Sequence, residues 1–549
     1  MSKVTRLFDE ICAKYPKRTA FIFFHDGKIQ QRTFHDLEND VLIATETLTR
    51  YGVRPGDRIL AFAKSSYQLC VYMLATFKLG ASILYVDIWA QQERLKRAFD
   101  NFQPTFILVS NSTKLVRLLF PEINKINQII NVDNHTDDPN ILQIYPEPKD
   151  DTIALMTMTT GSTGKPKIAI RTHESLYQQL RLVTQNQKDR GQPEIVLTTS
   201  YIYIFANIVK GYTTVLPTLN LASNNKKRLN AQLAHFRKFP ITMIYTTPDF
   251  CLKTKDMYPY LHTLYIGGAI LNLNEAEIIR NTFPRCNICY IYGATECNLI
   301  AATNLNDYIK HLCLEGDTIL GKPVKGVKVK TNHNSEIYVS SPALLENYLD
   351  KFKDNKVRDD DGTLWHHTGD TGAIIDGKLY YYGRTKAVVH LDNKRYFSNQ
   401  IEQKTIRRFR NIDKCAVLEL DKTLYMFYES KRPPSPLQFK YYMRELKVPK
   451  YHIKRVRKIP CDVKHHTKIN YNILLEKIKK WTTKSKRFST TMSWSTHPML
   501  SFSRSITTHG RAKAMATLRM MLKILPRSCN TKISHIKRLP SMLQTPTIT

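Results

Sequence analysis

Acidic residues are scarce in this chain, and they stop early. Its 549 residues include 47 Asp and Glu against 82 Lys and Arg, a formal charge of +35. After Glu476 neither acid occurs, while basic residues continue to Arg538. A basic balance of this kind points to nucleic acid or an anionic membrane. Its distribution weakens that reading, because a sizeable share sits in one tail and the remaining basic residues are mixed with acidic ones like ordinary solvated faces. A long apolar run is also missing. No window of about 18 uninterrupted apolar residues exists, so no transmembrane span is predicted. Nor does the start read as a signal peptide. Asp9, Glu10 and Lys14 interrupt it, and Leu7, Phe8, Ile11 and Tyr15 recur at helical spacing, which predicts an amphipathic helix.

Two chemical signatures are absent as well. The ten cysteines are scattered, which fits a reducing cytoplasm. Cys286 and Cys289 form a CxxC without the second ligand pair a zinc site wants. They lie in the apolar run RCNICYIY and are expected as two buried strand cysteines. A Walker phosphate loop is missing too. Counting from Gly161, its second glycine would fall on Pro166, and Gly164-Lys165 is followed by Pro166 instead of Ser or Thr. A GTPase or kinesin-like reading thereby loses its main support.

What is present is a ten-residue stretch, MTTGSTGKPK, from Met158 to Lys167. Glycines let a backbone approach an oxyanion, exposed N–H groups and hydroxyls donate to it, and lysines supply charge. The same residue types also make ordinary surface turns. The hydrophobic fraction of 42% is enough for several cores. From about 20 to 350, apolar runs alternate with helical patterns, which predicts an α/β architecture. FIFF (21–24), RILAFA (58–63), ASILYVD (81–87) and TFILVS (105–110) read as strands, and SYQLCVYMLATFKLG as a helix. After Asp370 the texture changes. KLYYYG and AVVHLD precede a charge-rich helix around 400–410 and a strand near Cys415–Leu420, as in a second, smaller domain. Beyond Trp481 the chain is Ser/Thr-rich, basic and aperiodic. That stretch reads as disordered or as an out-of-frame extension.

Further motifs follow in order: IGGA (Ile266–Ala269), YIYGATE (Tyr290–Glu296), TGD (368–370), GR (383–384) and HHTKIN (465–470). Their chemistry includes an aromatic to stack on a base, a glutamate for Mg²⁺, an aspartate on a tight loop for a sugar diol, an arginine and a late lysine. Each alone is equally a strand end or a turn. Taken in this order with TTGSTGKPK and the TFHDLEND…VRPGDRI opening, they resemble the adenylate-forming (AMP-binding) superfamily over roughly residues 1–481.

That resemblance implies a large α/β N-terminal adenylation domain of several subdomains over 1–383. It also implies a small α+β C-terminal lid over 384–481 that rotates about Lys386, with 482–549 left as a basic tail. The phosphate loop would comprise Thr159, Thr160, Gly161, Ser162, Thr163, Gly164 and Lys167. Gly267, Gly268 and Ala269 would border adenine and the acyl group. Tyr292, with Gly293 beside it, would lie against adenine, Thr295 would touch phosphate, and Glu296 would bind Mg²⁺. Asp370 and Arg384 would hold the ribose hydroxyls, and Lys468 would drive adenylation.

The implied activity is ATP- and Mg²⁺-dependent activation of a small-molecule carboxylic acid in the cytoplasm, with no specific nucleic-acid partner. Three departures point within the family. Ile168 follows PK where many relatives have Gly. SYIYIFANIVKGYTTVLP replaces the usual aromatic-His stretch. Asn393, Lys394 and Arg395 stand where coenzyme A-using synthetases carry a Gly-aromatic/His-Arg loop. The stretches around Phe205, His367 and His466 are similar to the olefin β-lactone synthetases, which implies a fatty or β-hydroxy acid closed by its own hydroxyl, with His390 or His367 as a possible base. Acyl-CoA ligase, with coenzyme A as a second cofactor, and amino-acid adenylation remain open. So does an inactive or nucleic-acid-binding protein that uses its tail.

Overall fold

Ser2 opens the first helix, Lys3–Lys14. Its hydroxyl accepts from the Thr5 N–H at 3.3 Å, which satisfies one of the free donors of the first turn. The apolar stripe runs along Val4, Phe8 and Cys12, with Ile11 and Tyr15 packed at its side. The computed structural model describes residues 2–25, 27–86, 92–111, 113, 123, 126, 128–133, 146–159, 167–188, 190–217, 226–345, 348–349, 356–462 and 468–479, of which 92–94 and 159 are described by their backbone. The expectations at Asp87, Thr160–Gly164 and His466, and for the basic tail, lie outside them.

The helix Tyr67–Leu79 shows most directly how the sequence sets the core. Nearly every residue in it is buried, Lys78 being the exception. A helix apolar all round has no solvent face and must sit inside. It starts at Ser66, whose hydroxyl accepts from Leu69 N at 3.2 Å. It ends at Gly80, where φ is +69°, the left-handed geometry that favours glycine.

Two sheets carry the body. One has six strands in the order Ile129–Asn131, Phe106–Val109, Arg58–Phe62, Ser82–Tyr85, Ile153–Thr159 and Lys167–Thr172. All neighbouring pairs in it are parallel except the last, in which Thr159 pairs with Lys167 across residues 160–166. The other sheet has 14 strands among the described residues. In its parallel part, Asn287–Ala294, Thr263–Gly267, Met243–Thr246, Ile195–Leu197, Thr213–Leu216 and Thr19–His25 lie side by side. Ligands of open α/β sheets bind outside the carboxyl ends of such strands. Gly267 and Ala294 mark two of those ends. One face here carries a column of stacked tyrosines, Tyr203, Tyr245 and Tyr265, with ring centroids 4.2 and 4.5 Å apart.

The antiparallel part of the large sheet corrects two expectations. Lys378–Arg384, which contains KLYYYG, pairs with Leu364–Ile375 and Thr318–Pro323 and so belongs to the large sheet. Asp370 does not sit on a tight loop but inside the 12-residue strand Leu364–Ile375. Gly369, at φ +74°, kinks the strand there, so a turn-like sequence occurs within a continuous ladder. The CxxC also differs from its reading. Both cysteines are half-buried, and Cys286 precedes the strand that contains Cys289.

Beyond Arg384 comes one 3-10 turn, Thr385–Ala387, then the hairpin Val388–Leu391 and Lys394–Phe397. Its two turn residues, Asp392 and Asn393, have φ of +46° and +60°, the geometry of a two-residue hairpin turn matched to strand twist. A separate three-stranded sheet, Lys414–Leu420, Thr423–Glu429 and Tyr451–Arg455, packs with the helices Ser398–Arg408 and Pro436–Glu445 around their own core of Val417, Met426, Phe439 and Met443.

Candidate active site

Asp370 and Arg384 face each other across neighbouring strands. Arg384 Nη1 lies 3.0 Å from Asp370 Oδ1, and the Tyr292 hydroxyl donates to Asp370 Oδ2 at 2.6 Å. The carboxylate is only 5% exposed. Its charge holds the Arg384 guanidinium above the ordinary arginine range against the opposing effect of burial. Burial, then Asp370, pushes the Tyr292 phenol well up, so Tyr292 is a neutral donor.

Lys468 joins this group from the far end of the chain. The bridge between Cys461 and Ile469 and the bond from Asp462 N to the Lys468 carbonyl, 2.8 Å, hold its backbone. Burial lowers its ammonium below the usual lysine value. Arg384 pushes the same way, while Asp370, Asp462 and Glu296 oppose. Four charges from three distant parts of the sequence therefore act on one ammonium.

Glu296 follows the strand Asn287–Ala294. Its carboxylate accepts from the Tyr348 hydroxyl, and its carbonyl accepts from Leu345 N at 2.8 Å. Lys167, 7% exposed, places its ammonium 4.9 Å from the centre of the Tyr348 ring. Gly267 ends the neighbouring parallel strand, and Gly268 and Ala269 form the bend after it. A Cβ on Gly267 would meet Ile291 Cγ1 at 2.6 Å. Gly293 is constrained structurally, since a Cβ there would lie 1.9 Å from the Asn298 carbonyl oxygen at a bulge. Thr159 is seen as backbone alone, paired with Lys167.

Sequence reasoning missed Arg171 and Tyr348. Arg171 donates to Thr157 Oγ1 at 2.8 Å, Gln179 Oε1 at 2.9 Å and the Thr295 carbonyl at 3.2 Å. Burial pulls its guanidinium down to about 10, against the charges of Glu296 and Tyr348. The only sequence signal was a lone arginine in the apolar strand KIAIRT. The histidines considered as bases stand apart from these groups. His390 is 64% exposed, with Glu419 as its neighbour, and His367 lies 3.7 Å from Glu336. Phe205 packs in the core against Phe77.

A family model matches most of the chain that precedes Asp370. The family model described as AMP-binding enzyme covers residues 8–349. The chain belongs to the AMP-binding enzyme family. It is an adenylate-forming ligase of the α/β architecture with a smaller C-terminal part. The D-alanine–D-alanyl carrier protein ligase of Staphylococcus aureus (strain Newman) is 26% identical over 361 residues, 63% of this chain and 72% of the relative. In fold the chain is similar to o-succinylbenzoate CoA synthetase of Bacillus subtilis, solved with its acyl-adenylate intermediate. That likeness has a TM-score of 0.68 at 19% identity and covers 84% of this chain and 96% of the other. An amide bond synthetase from Marinactinospora thermotolerans gives a TM-score of 0.70 at 16% identity over 87% and 99%. In this family ATP is the cosubstrate.

The residues also fit Mg²⁺. Mg²⁺ is usually held by one or two carboxylates plus substrate phosphates, not by an all-protein cage. Glu296 would supply one such carboxylate. Among the described residues no cluster of three or more His, Cys, Asp or Glu offers an alternative. No described helix is long and apolar enough to cross a membrane.

Proposed function

We propose that this ligase converts a carboxylic acid and ATP into an acyl-adenylate and pyrophosphate, with the sequence-derived site residues acting together. The observation that carries the reading is the Asp370 carboxylate held by Arg384 and Tyr292, with Lys468 near enough for its ammonium to feel Arg384, Asp370 and Glu296. An oxygen of the acid attacks the α-phosphorus, and the bond to pyrophosphate breaks. Negative charge grows at both ends of that displacement. In this reading Lys468, half-buried, neutralises it where an ammonium is worth more than in bulk water. Asp370 accepts from the ribose hydroxyls while Arg384 and Tyr292 hold its orientation. Mg²⁺ bound through Glu296 would neutralise the phosphates. Residues 384–481 form the lid in this reading. Free cysteines throughout the described residues support the cytoplasm.

The finer proposal is a fatty or β-hydroxy acid whose hydroxyl then attacks the acyl carbon, expelling AMP and closing a β-lactone as the hydroxyl proton leaves. It rests on the altered Asn393 loop and on the likeness around Phe205, His367 and His466. No histidine base supports it, since His390 and His367 face glutamates elsewhere. A second reading, a short acid passed to a thiol acceptor, is favoured by the tyrosine column. Gly267 shares a sheet face with Tyr265, two residues away, and Tyr245 and Tyr203 extend that wall. Acid-dependent ATP–pyrophosphate exchange across fatty, β-hydroxy, aryl and amino acids separates the two, with product mass spectrometry in the presence and absence of coenzyme A. Dehydrated acid formed without coenzyme A supports the lactone. Exchange confined to short acids, with a product that needs a thiol, supports the second reading. Exchange with no acid in the panel counts against adenylation itself.

A further inference from the structure

Arg171 is an expensive residue to keep. It is 7% exposed, and a buried cation needs hydrogen bonds and a countercharge. Its hydrogen bonds among the described residues all go to neutral oxygens: the Thr157 hydroxyl, the Gln179 amide and the Thr295 carbonyl. Glu296 acts on it only through space. The guanidinium is therefore held in place by three neutral oxygens, and its positive charge is not spent on a paired carboxylate.

Those three partners belong to separate elements. Thr157 lies on the strand Ile153–Thr159 and Arg171 on its partner Lys167–Thr172, the pair that flanks residues 160–166. Thr295 lies in the turn after Asn287–Ala294, 124 residues further along the chain. Gln179 donates in turn to the Ala343 carbonyl at 3.2 Å. The segment that follows Ala343 returns to the same place. Leu345 N bonds the Glu296 carbonyl, Tyr348 bonds the Glu296 carboxylate and bridges Ala169, and Leu349 N bonds the Ile168 carbonyl at 2.9 Å. Like Tyr348 on the other side of Glu296, Arg171 ties the flanking strands to the Thr295–Glu296 turn directly, and it alone of the two does so through a permanent charge.

We infer that Arg171 is a positioning residue that fixes the Thr295–Glu296 turn to the strand pair flanking residues 160–166, and so sets where the Glu296 carboxylate meets the metal–triphosphate. The bland alternative is a structural clamp whose loss lowers stability and nothing else. The two differ in what they predict for Mg²⁺. If the turn carries the Glu296 carboxylate to the metal–triphosphate, loosening it raises the Mg²⁺ concentration needed for nucleotide binding.

The inference rests on the adenylation reading, so its test includes a measurement that needs no acid. Heat protection of the full chain by ATP is followed while Mg²⁺ is titrated, for the wild type and for Arg171→Gln, Arg171→Lys and Thr157→Val. In Arg171→Gln the Mg²⁺ midpoint should rise by about 10-fold or more, the usual scale for loss of an outer-shell partner. Arg171→Lys keeps the charge but not the fork, so it should fall between. Thr157→Val removes one acceptor and should shift the midpoint the same way by less. Pyrophosphate exchange should fall in the same order, with kcat affected more than the KM for the acid. If Arg171→Gln does not fold, Thr157→Val decides. Folded variants with lower melting temperatures but a wild-type Mg²⁺ midpoint would overturn the inference. Because heat protection is read without an acid, it tests Arg171 even if no acid in the panel is turned over.

Discussion

The Tyr292 hydroxyl lies 2.6 Å from Asp370 Oδ2, while Arg384 stands 3.0 Å from the other oxygen of the same carboxylate. One aspartate thus joins a strand end of the parallel sheet to the antiparallel part of the same sheet. Asp370→Asn would leave the half-buried Arg384 guanidinium beside a neutral amide. Breaking a buried pair from one side costs about 3 kcal/mol, an upper figure for a partly exposed arginine, and the variant should still melt below the wild type. Tyr292→Phe removes only a hydrogen bond to a charged group, worth about 2 kcal/mol. The check is chemical denaturation of the two variants. Equal, negligible losses would mean that the carboxylate is not sustained by these partners.

A pH effect follows from Glu402. It is fully buried on the helix Ser398–Arg408 and accepts from Val417 N and the Tyr471 hydroxyl, both at 2.8 Å. Burial pushes its carboxyl up from 4.5 to about 7. The folded state then binds a proton that the unfolded state releases, so stability is full below about pH 4.5 and declines as pH rises to about 7. The loss amounts to about 3 kcal/mol at pH 8. Glu402→Gln should therefore be more stable than the wild type at pH 8, with the difference vanishing near pH 5. Thermal melts at the two pH values read this directly, and a pH-independent difference would contradict it.

Lys468 gives the sharpest test of the chemistry. Lys468→Ala should lower pyrophosphate exchange by about 100-fold or more, the scale for removing a group that stabilises developing charge. ATP binding, measured by equilibrium titration, should change little, because the ammonium acts mainly in the transition state. Since burial lowers the Lys468 ammonium, exchange in the wild type should fade on the alkaline side below the pH at which an exposed lysine titrates. Near-normal exchange by the alanine variant would remove Lys468 from the mechanism.

The sequence carried some of this and could not carry the rest. The helix Tyr67–Leu79 and the strand Thr19–His25 were legible because local hydrophobic pattern and burial agree there. The order of the ATP motifs was legible because backbone approach to phosphate restricts residue type over a few positions. Arg171 and Tyr348 were not, since their partners lie 124 and 52 residues away and only the fold brings them together. The segment TGD read as a loop because a glycine kink inside a ladder has the same local signature as a turn. The helix around 400–410 read as charge-rich, with no sign of which polar residues face inward. In fact Asn399, Glu402 and Gln403 are its buried side.

That buried polar side bears on the last prediction, which concerns Lys386. The helix Ser398–Arg408 meets the body through a set of hydrogen bonds, beside the ring contact of Phe397 with Tyr382. Asn399 donates to Thr318 Oγ1 at 2.9 Å and to the Tyr381 carbonyl at 3.2 Å, Gln403 to the Leu271 carbonyl at 3.3 Å, and Gln400 to Asp317 at 3.1 Å. Asn272 and Asn274 reach across from the body to the carbonyls of Asp413 and Ile412. Polar contacts of this kind exchange for water at modest cost, the signature of parts that move relative to each other. The chain between the two parts is the short turn Thr385–Ala387, so a rotation of the lid would be absorbed there. Lys386→Pro fixes one φ angle in that turn. If rotation separates two half-reactions, the variant should retain the one whose geometry this structure has, with Lys468 beside Asp370, and lose the other. Single-turnover measurements of AMP-ester formation and of its consumption should then diverge by about 10-fold or more. A parallel loss of both steps in a normally folded variant would show that Lys386 is not where the lid turns.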